Sequence, residues 1–120
     1  MTTRPSRPPT MHLLKTEPLP FAAVRRREKS YELRVDDRTP HFAVNDILIL
    51  AEHYREGEAI GFTGETLVRI VTYKTEGGTH GLPVGFCIMS IDPIALPPQS
   101  AWWDAVDALR QTIAANLRRL

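Results

Sequence analysis

Asp46-Ile47-Leu48-Ile49-Leu50-Ala51-Glu52 sets five apolar residues in unbroken succession between two carboxylates. A run this short, without polar alternation, predicts a strand buried on both faces or lining a closed barrel, and so the centre of the core. On its C-terminal side, Glu56-Gly57 predicts a hairpin connection. Thr66 to Tyr73 then alternates Thr66, Val68, Ile70 and Thr72 against Leu67, Arg69, Val71 and Tyr73, which is strand periodicity. Gly77-Gly78 and Gly81-Leu82-Pro83 mark an irregular loop, and Phe86 to Ile91 is a last apolar strand that Asp92-Pro93 closes.

On the N-terminal side, Met11 to Lys15 reads as a short strand. Pro18 fits the first turn of a helix running from Leu19 to about Arg27, with Thr16 or Glu17 before it. Leu19, Ala22, Ala23 and the stem of Arg26 are expected on one face of that helix. Arg25, Arg26 and Arg27 fall in its last turn, where cations offset the negative end of the dipole. A strand from Ser30 to Val35 and a turn over Asp36-Asp37-Arg38-Thr39-Pro40 follow. Strands at this spacing predict a small barrel of the α+β class.

Length and composition bound the rest. With 120 residues, 42% hydrophobic and 24% charged, the chain suits one domain with a modest core. Residues 1–10 hold Arg4, Pro5, Arg7, Pro8 and Pro9 without an apolar run, so they read as a flexible arm, neither signal peptide nor anchor. Residues 93–99 form a Pro-rich connector. From Ser100, a cap, Trp102, Val106, Leu109, Ile113, Leu117 and Leu120 recur at helical steps, predicting an amphipathic helix over 100–120. That helix either packs on its own domain or lies against a second copy, so the chain is expected to be a monomer or a weak homodimer, with Trp103 as the contact. No segment approaches a bilayer-spanning length. Cys87, the only cysteine, lies in Phe86-Cys87-Ile88-Met89 and is expected to pack as a small hydrophobe in a reducing, cytoplasmic setting.

The formal net charge of +1 conceals an asymmetry. Residues 1–38 carry nine Lys/Arg against five Asp/Glu, and residues 39–100 carry three against seven. A basic first third beside a near-neutral total fits a local phosphate site better than a long duplex groove. Within that third stands Lys29-Ser30-Tyr31-Glu32-Leu33-Arg34, where helix hands over to strand. Alternation puts Tyr31 and Leu33 on one face, expected to be the core, and Ser30, Glu32 and Arg34 on the other, expected to be solvent. Spacing alone also fits a simple surface ion pair between Glu32 and Arg34, worth under about 1 kcal/mol.

His12-x-Leu14-Lys15, Phe21-x-x-Val24, Lys29-x-x-Glu32-x-Arg34, Asp46-Ile47-Leu48-x-Leu50-x-Glu52 and Gly81-Leu82-x-x-Gly85-Phe86 through Met89-Ser90-Ile91 occur in this order. Together they resemble an ASCH domain of the PUA-like superfamily, and within it a bacterial and phage subgroup described only as a domain of unknown function. The resemblance covers about residues 11–92. It implies a small mixed PUA-like barrel of about five or six strands with flanking helices, and binding of RNA or modified nucleotides. The signature Gly-x-Lys-x-x-Glu-x-Arg lines a cleft in ASCH domains, which would put Lys29, Glu32 and Arg34 at a ligand site. Arg27 replaces the glycine, adding charge and putting the usual tight turn in question. Asn45 stands where a glycine usually precedes Asp46, a mild change because asparagine tolerates a left-handed turn.

Lys29 and Arg34 are suited to hold a phosphate, and Glu32 to accept from an exocyclic amine of a base. Lys15, Arg25, Arg26 and Arg27 would add electrostatic support, and His80 lies in a glycine-rich loop placed to close over the cleft. Tyr54, Phe62, Tyr73 and Phe86 are the candidate stacking surfaces. A hydrolase is the alternative, because some ASCH-like proteins are ribonucleases or remove an acyl group from N4 of cytidine with a lysine, a threonine nucleophile and a glutamate. Lys29 and Glu32 would then be catalytic, although Glu32 occupies the position of that threonine. A third reading is an interaction module that dimerises through the C-terminal helix. His12, His41, His53 and His80 lack ligand spacing, and Asp36-Asp37 reads as a solvated turn, so no metal is expected. Without a P-loop ending or a nucleophile elbow, no cofactor is implied.

Overall fold

The computed structural model describes residues 9–94. The expected helix over 100–120, its dimer contact at Trp103 and most of the Pro/Arg arm lie outside the described residues. Those described fold as β1 (Met11–Thr16), α1 (Pro18–Arg25), β2 (Tyr31–Val35), β3 (Ile47–Glu56), β4 (Ala59–Glu76) and β5 (Phe86–Pro93). The strands form one sheet in the order β1-β3-β4-β5-β2, with β1 parallel to β3 and every other pair antiparallel. Within this sheet β1 and β2 are the edges, so the barrel is a curled half rather than closed. Side chains bridge its seam: Arg34 on β2 donates to the Thr16 hydroxyl at 3.3 Å, and Arg38 donates to the Leu13 carbonyl at 3.1 Å.

β3 is paired on both sides and buried on both faces, as its apolar run predicts. Leu48 and Leu50 join Leu14, Val71, Cys87, Met89 and Ile91 in the inner cluster, beneath Phe21 and Val24 of α1. Ile47 and Ile49 pack on the other face with Val68, Met11, Ile70 and Ile94. β3 and β4 extend beyond the five-stranded region as a two-stranded arm, after a register shift between Ala51 and His53.

α1 starts on Pro18, where the missing N–H is no loss, and Glu17 accepts the first helical bond from Phe21. Its buried face is Phe21 and Val24; the expected face led by Leu19 is not the one used, and Leu19 is 84% exposed. A phenyl ring has more apolar surface to remove from water than two alanines, and it sets the roll of this short helix. The helix ends on Arg27 at φ 64°, with Arg27 N bonded to Val24 O and Glu28 N to Ala23 O. This is a Schellman stop, and the tight turn forms without its usual glycine. Asn45 likewise sits at φ 77°, the left-handed turn expected of it.

The loop from β2 to β3 hangs on two carboxylates, the largely covered Asp36 and the buried Asp46. Asp36 accepts from Lys74 Nζ at 2.6 Å and from the Phe42 N–H at 3.1 Å, seating Phe42 in the core. The expected solvated turn is therefore true of exposed Asp37 but not of Asp36. Asp46 accepts from the N–H groups of Thr10 and Ala43 and lies 2.8 Å from His12 Nε2, which joins the start of β1 to the start of β3. Cys87 is buried in the inner cluster, as expected of a small hydrophobe. No helix among the described residues is long and apolar enough to cross a membrane.

Candidate functional site

β2 pairs with β5 so that Glu32 stands opposite Met89 and Arg34 opposite Cys87, both inward-facing core residues. The register therefore turns Glu32 and Arg34 into the half-barrel and leaves Tyr31, Leu33 and Val35 about half exposed outside. This reverses the expected orientation of the strand. Alternation fixes which residues share a face, while the pairing with β5 decides which face is inside.

Glu32 is only 2% exposed, and its two oxygens are shared between cations. Lys29 Nζ donates to Oε2 at 3.1 Å and Arg34 Nη2 to Oε1 at 3.2 Å. Lys29 is 20% and Arg34 25% exposed, so the carboxylate is covered while both cations reach the surface. Lys29 also lies 5.1 Å from the centroid of the Tyr31 ring, a cation–π contact that fixes its stem. A buried carboxylate without such partners would be strongly unfavourable, and the cluster carries one positive charge in excess. The arrangement is thus neither a surface ion pair nor a fully neutralised core contact.

Two openings flank this cluster. The larger, about 480 Å³, is lined by Lys15, Thr16, Glu17, His53, Tyr54 and Arg55. Thr16 joins it to the cluster through the bond from Arg34. Across the arm Tyr54 is paired with Gly61, and a Cβ on Gly61 would sit 3.6–3.8 Å from the Tyr54 ring, so the ring rests on bare backbone. His53 meets Phe62 edge-on at 4.8 Å, and Lys15 Nζ stands 5.9 Å from the centre of the Phe62 ring. The smaller opening, about 100 Å³, lies on the other side of Lys29, between the end of α1 and the end of β5.

The remaining basic residues divide by their partners. Arg25 bonds Glu65 at 3.3 Å and lies over Phe21, and Arg26 makes a two-pronged contact with Glu28. Those bonds to Glu28 raise the Arg26 pKa and lower that of Glu28. Arg27 lines the smaller opening beside Lys29. His80 is exposed at φ 52° in the β4–β5 loop and lines neither opening. Tyr73 and Phe86 are on exposed positions of β4 and β5, also outside both. Among the described residues, no three His, Cys, Asp or Glu side chains gather as a metal site.

Thr16 and Arg69 escaped the sequence reading. The inward alternation of His12, Leu14 and Thr16 on β1 was a signal for the first. A single arginine within the β-branched run of β4 was a signal for the second.

A second charged pair joins Asp36 to Lys74 at 2.6 Å. Burial acts most strongly on Asp36 and would raise its pKa, but hydrogen bonds from Lys74, the Phe42 N–H and His41, with the charge of Lys74, outweigh it and hold the carboxyl below its usual range. Burial likewise opposes the charge on Lys74, and the bonds to Asp36 and Glu76 raise it above the ordinary lysine value nonetheless. Burial pushes the Cys87 thiol up, with Asp36 and Glu76 adding to the effect and Lys74 opposing it.

Residues 11–91 match the model of a family described as a domain of unknown function, DUF3850. No curated protein matches the chain.

Proposed function

Because the chain belongs to the DUF3850 family, whose description assigns no activity, its function is read from its own site, and we propose that it binds RNA or a modified nucleotide beside Lys29, Glu32 and Arg34. The observation that carries this reading is a buried carboxylate gripping two cations that both remain partly open to solvent. A core built only for stability gains little from such a cluster, since apolar residues of the same volume serve as well or better. The order of the motif also supports the ASCH resemblance, and the five-stranded curled sheet is compatible with a small barrel of that kind.

Burial divides the roles. Lys29 and Arg34 meet the ligand, and Glu32 beneath them holds both heads in place. Each Glu32 oxygen keeps a second acceptor position, which a base amine reaches only if a cation yields. Of the aromatic residues, Tyr54 stands in the larger opening that Thr16 connects to Arg34, so it is the stacking surface we select. Lys15 and Arg55 supply positive charge at the same opening. The setting proposed is the cytoplasm.

A hydrolase acting on RNA or an N4-acylated cytidine is the second reading, and Thr16 favours it. Its hydroxyl stands 3.3 Å from Arg34, providing an alcohol that motif position 32 lacks. It ranks second because the Thr16 hydroxyl is directed at the Leu14 carbonyl at 3.5 Å, with no carboxylate or imidazole among the described residues bonded to it as a base.

The test is retention of short single-stranded RNA at moderate salt, with products followed by mass spectrometry alongside N4-acyl cytidines. Binding that weakens with salt and is lost in Lys29→Ala/Arg34→Ala is expected. Unchanged affinity in that variant overturns the reading. New products that vanish in Lys29→Ala and Thr16→Val establish the hydrolase instead.

A further inference from the structure

The smaller opening, about 100 Å³, collects three cations from three parts of the chain: Arg27 from the stop of α1, Lys29 from the link to β2, and Arg69 from β4. Arg69 directs its guanidinium nitrogens at two backbone carbonyls, Val68 O at 2.8 Å and Val24 O at 3.4 Å, rather than at an acid. Neither Arg27 nor Arg69 is paired with a carboxylate among the described residues, and Lys29 shares Glu32 with Arg34. The acidic member of the lining is Asp92, which is exposed. Positive charge therefore exceeds negative charge around the opening.

We infer that this opening is an oxyanion site for a phosphate group, held by Arg27, Lys29 and Arg69. Its size supports the assignment. At about 100 Å³ it is roughly a fifth of the larger opening, a size that admits a tetrahedral oxyanion. Two guanidinium groups and an ammonium are the donors such an anion takes best, the guanidinium as a fork and the ammonium as a point charge. The cations also repel one another: burial first, and then the charge of Arg27, lower the Arg69 pKa. A bound anion relieves that repulsion.

The ester to which the phosphate belongs rests on the nucleotide reading above, but the site itself does not. Lys29 belongs both to this opening and to the Glu32 cluster, so the phosphate of a nucleotide lies here while its base lies toward Arg34 and Tyr54. Phosphate recognition thus shifts from the Lys29/Arg34 pair to Arg27, Lys29 and Arg69, leaving Arg34 bonded to Glu32 and Thr16.

The experiment is a titration of the protein with inorganic phosphate, followed by amide chemical shifts, in the wild type, Arg27→Gly and Arg69→Gln. Arg27→Gly removes one cation while placing glycine at a left-handed position, so a loss there is not a folding defect. Shifts confined to residues 27–30, 69 and 91–92, with affinity about tenfold weaker in each variant, are the expected result. A nucleoside 5′-monophosphate should bind about tenfold tighter than its nucleoside, and the difference should collapse in Arg27→Gly. Phosphate shifts that are elsewhere, absent or equal in all three proteins overturn the site. If phosphate does not map to the opening while RNA binding survives in both variants, the site falls and the nucleotide reading stands. If phosphate maps to the opening but RNA and nucleotides do not bind, the site stands as one for free phosphate and the nucleotide reading falls.

Discussion

Arg34 on β2 donates to the hydroxyl of Thr16 on β1 at 3.3 Å, so one side chain spans the two edge strands of the half-barrel. The same guanidinium nitrogen reaches Glu32 at 3.2 Å, which ties the seam to the buried carboxylate. Closure of the cup and assembly of the site are therefore one structural event. Arg34→Met removes both bonds and leaves Glu32 with Lys29 alone; it should cost about 3 kcal/mol in urea denaturation, as expected for half of a buried ion pair. Thr16→Val removes only the hydroxyl and should cost about 1 kcal/mol. A neutral Arg34→Met would show that the cation does not hold the seam.

Arg27 holds a left-handed conformation that a side chain disfavours. Arg27→Gly should stabilise the fold by about 1 kcal/mol, raising the urea midpoint without changing the slope. A drop in the midpoint would mean that the arginine contributes more to packing than its backbone costs.

The Asp36–Lys74 pair sets an acid limit on stability. Because the Asp36 pKa is depressed in the fold, its contribution is full above the unfolded carboxylate value of about 4 and is lost as pH falls through the folded value. Lys74 is raised, so its contribution is full below about 10.4 and is lost only as pH rises beyond that. Asp36→Asn should destabilise by about 3 kcal/mol at pH 7 and flatten the acid limb of a stability profile from pH 6 to 3. An unchanged limb would assign the acid sensitivity to a carboxylate other than Asp36.

Tyr54 and Tyr73 are a matched pair for testing the stacking surface, one in the larger opening and the other on the outer face of β4. Tyr54→Ala should weaken binding of short RNA by about 1–2 kcal/mol, read as a fluorescence titration, with Tyr73→Ala close to wild type. The reverse order would move the ligand to the outside of the sheet.

Gly77 is where the β4–β5 loop folds back on itself. A Cβ there would collide with the Pro83 carbonyl oxygen, and Gly77 N also bonds Phe86 O at 2.8 Å. Gly77→Ala should cost about 2 kcal/mol or more, visible in the thermal midpoint, because backbone rather than a flexible side chain must give way.

The sequence by itself determined the elements and the chemistry available to the site. The unbroken apolar run from Ile47 to Ala51 marked the doubly buried central strand, and Pro18, Glu56-Gly57 and Asp92-Pro93 marked where elements start, turn and stop. These are local signals, set by backbone geometry and short-range periodicity. The order of segments also picked out Lys29, Glu32 and Arg34 before any contact was visible. The tertiary structure decided which way they face, because a period of two is symmetric about the sheet. Only the pairing of Glu32 with Met89 and of Arg34 with Cys87 sends them inward. It likewise decided that Phe21 rather than Leu19 seats the helix and that Asp36 is paired with Lys74. Thr16 and Arg69 meet the cluster only after the chain has curled, since they lie on other strands, away from residues 29–34 in sequence. Such contacts depend on register and curvature, which no local pattern encodes.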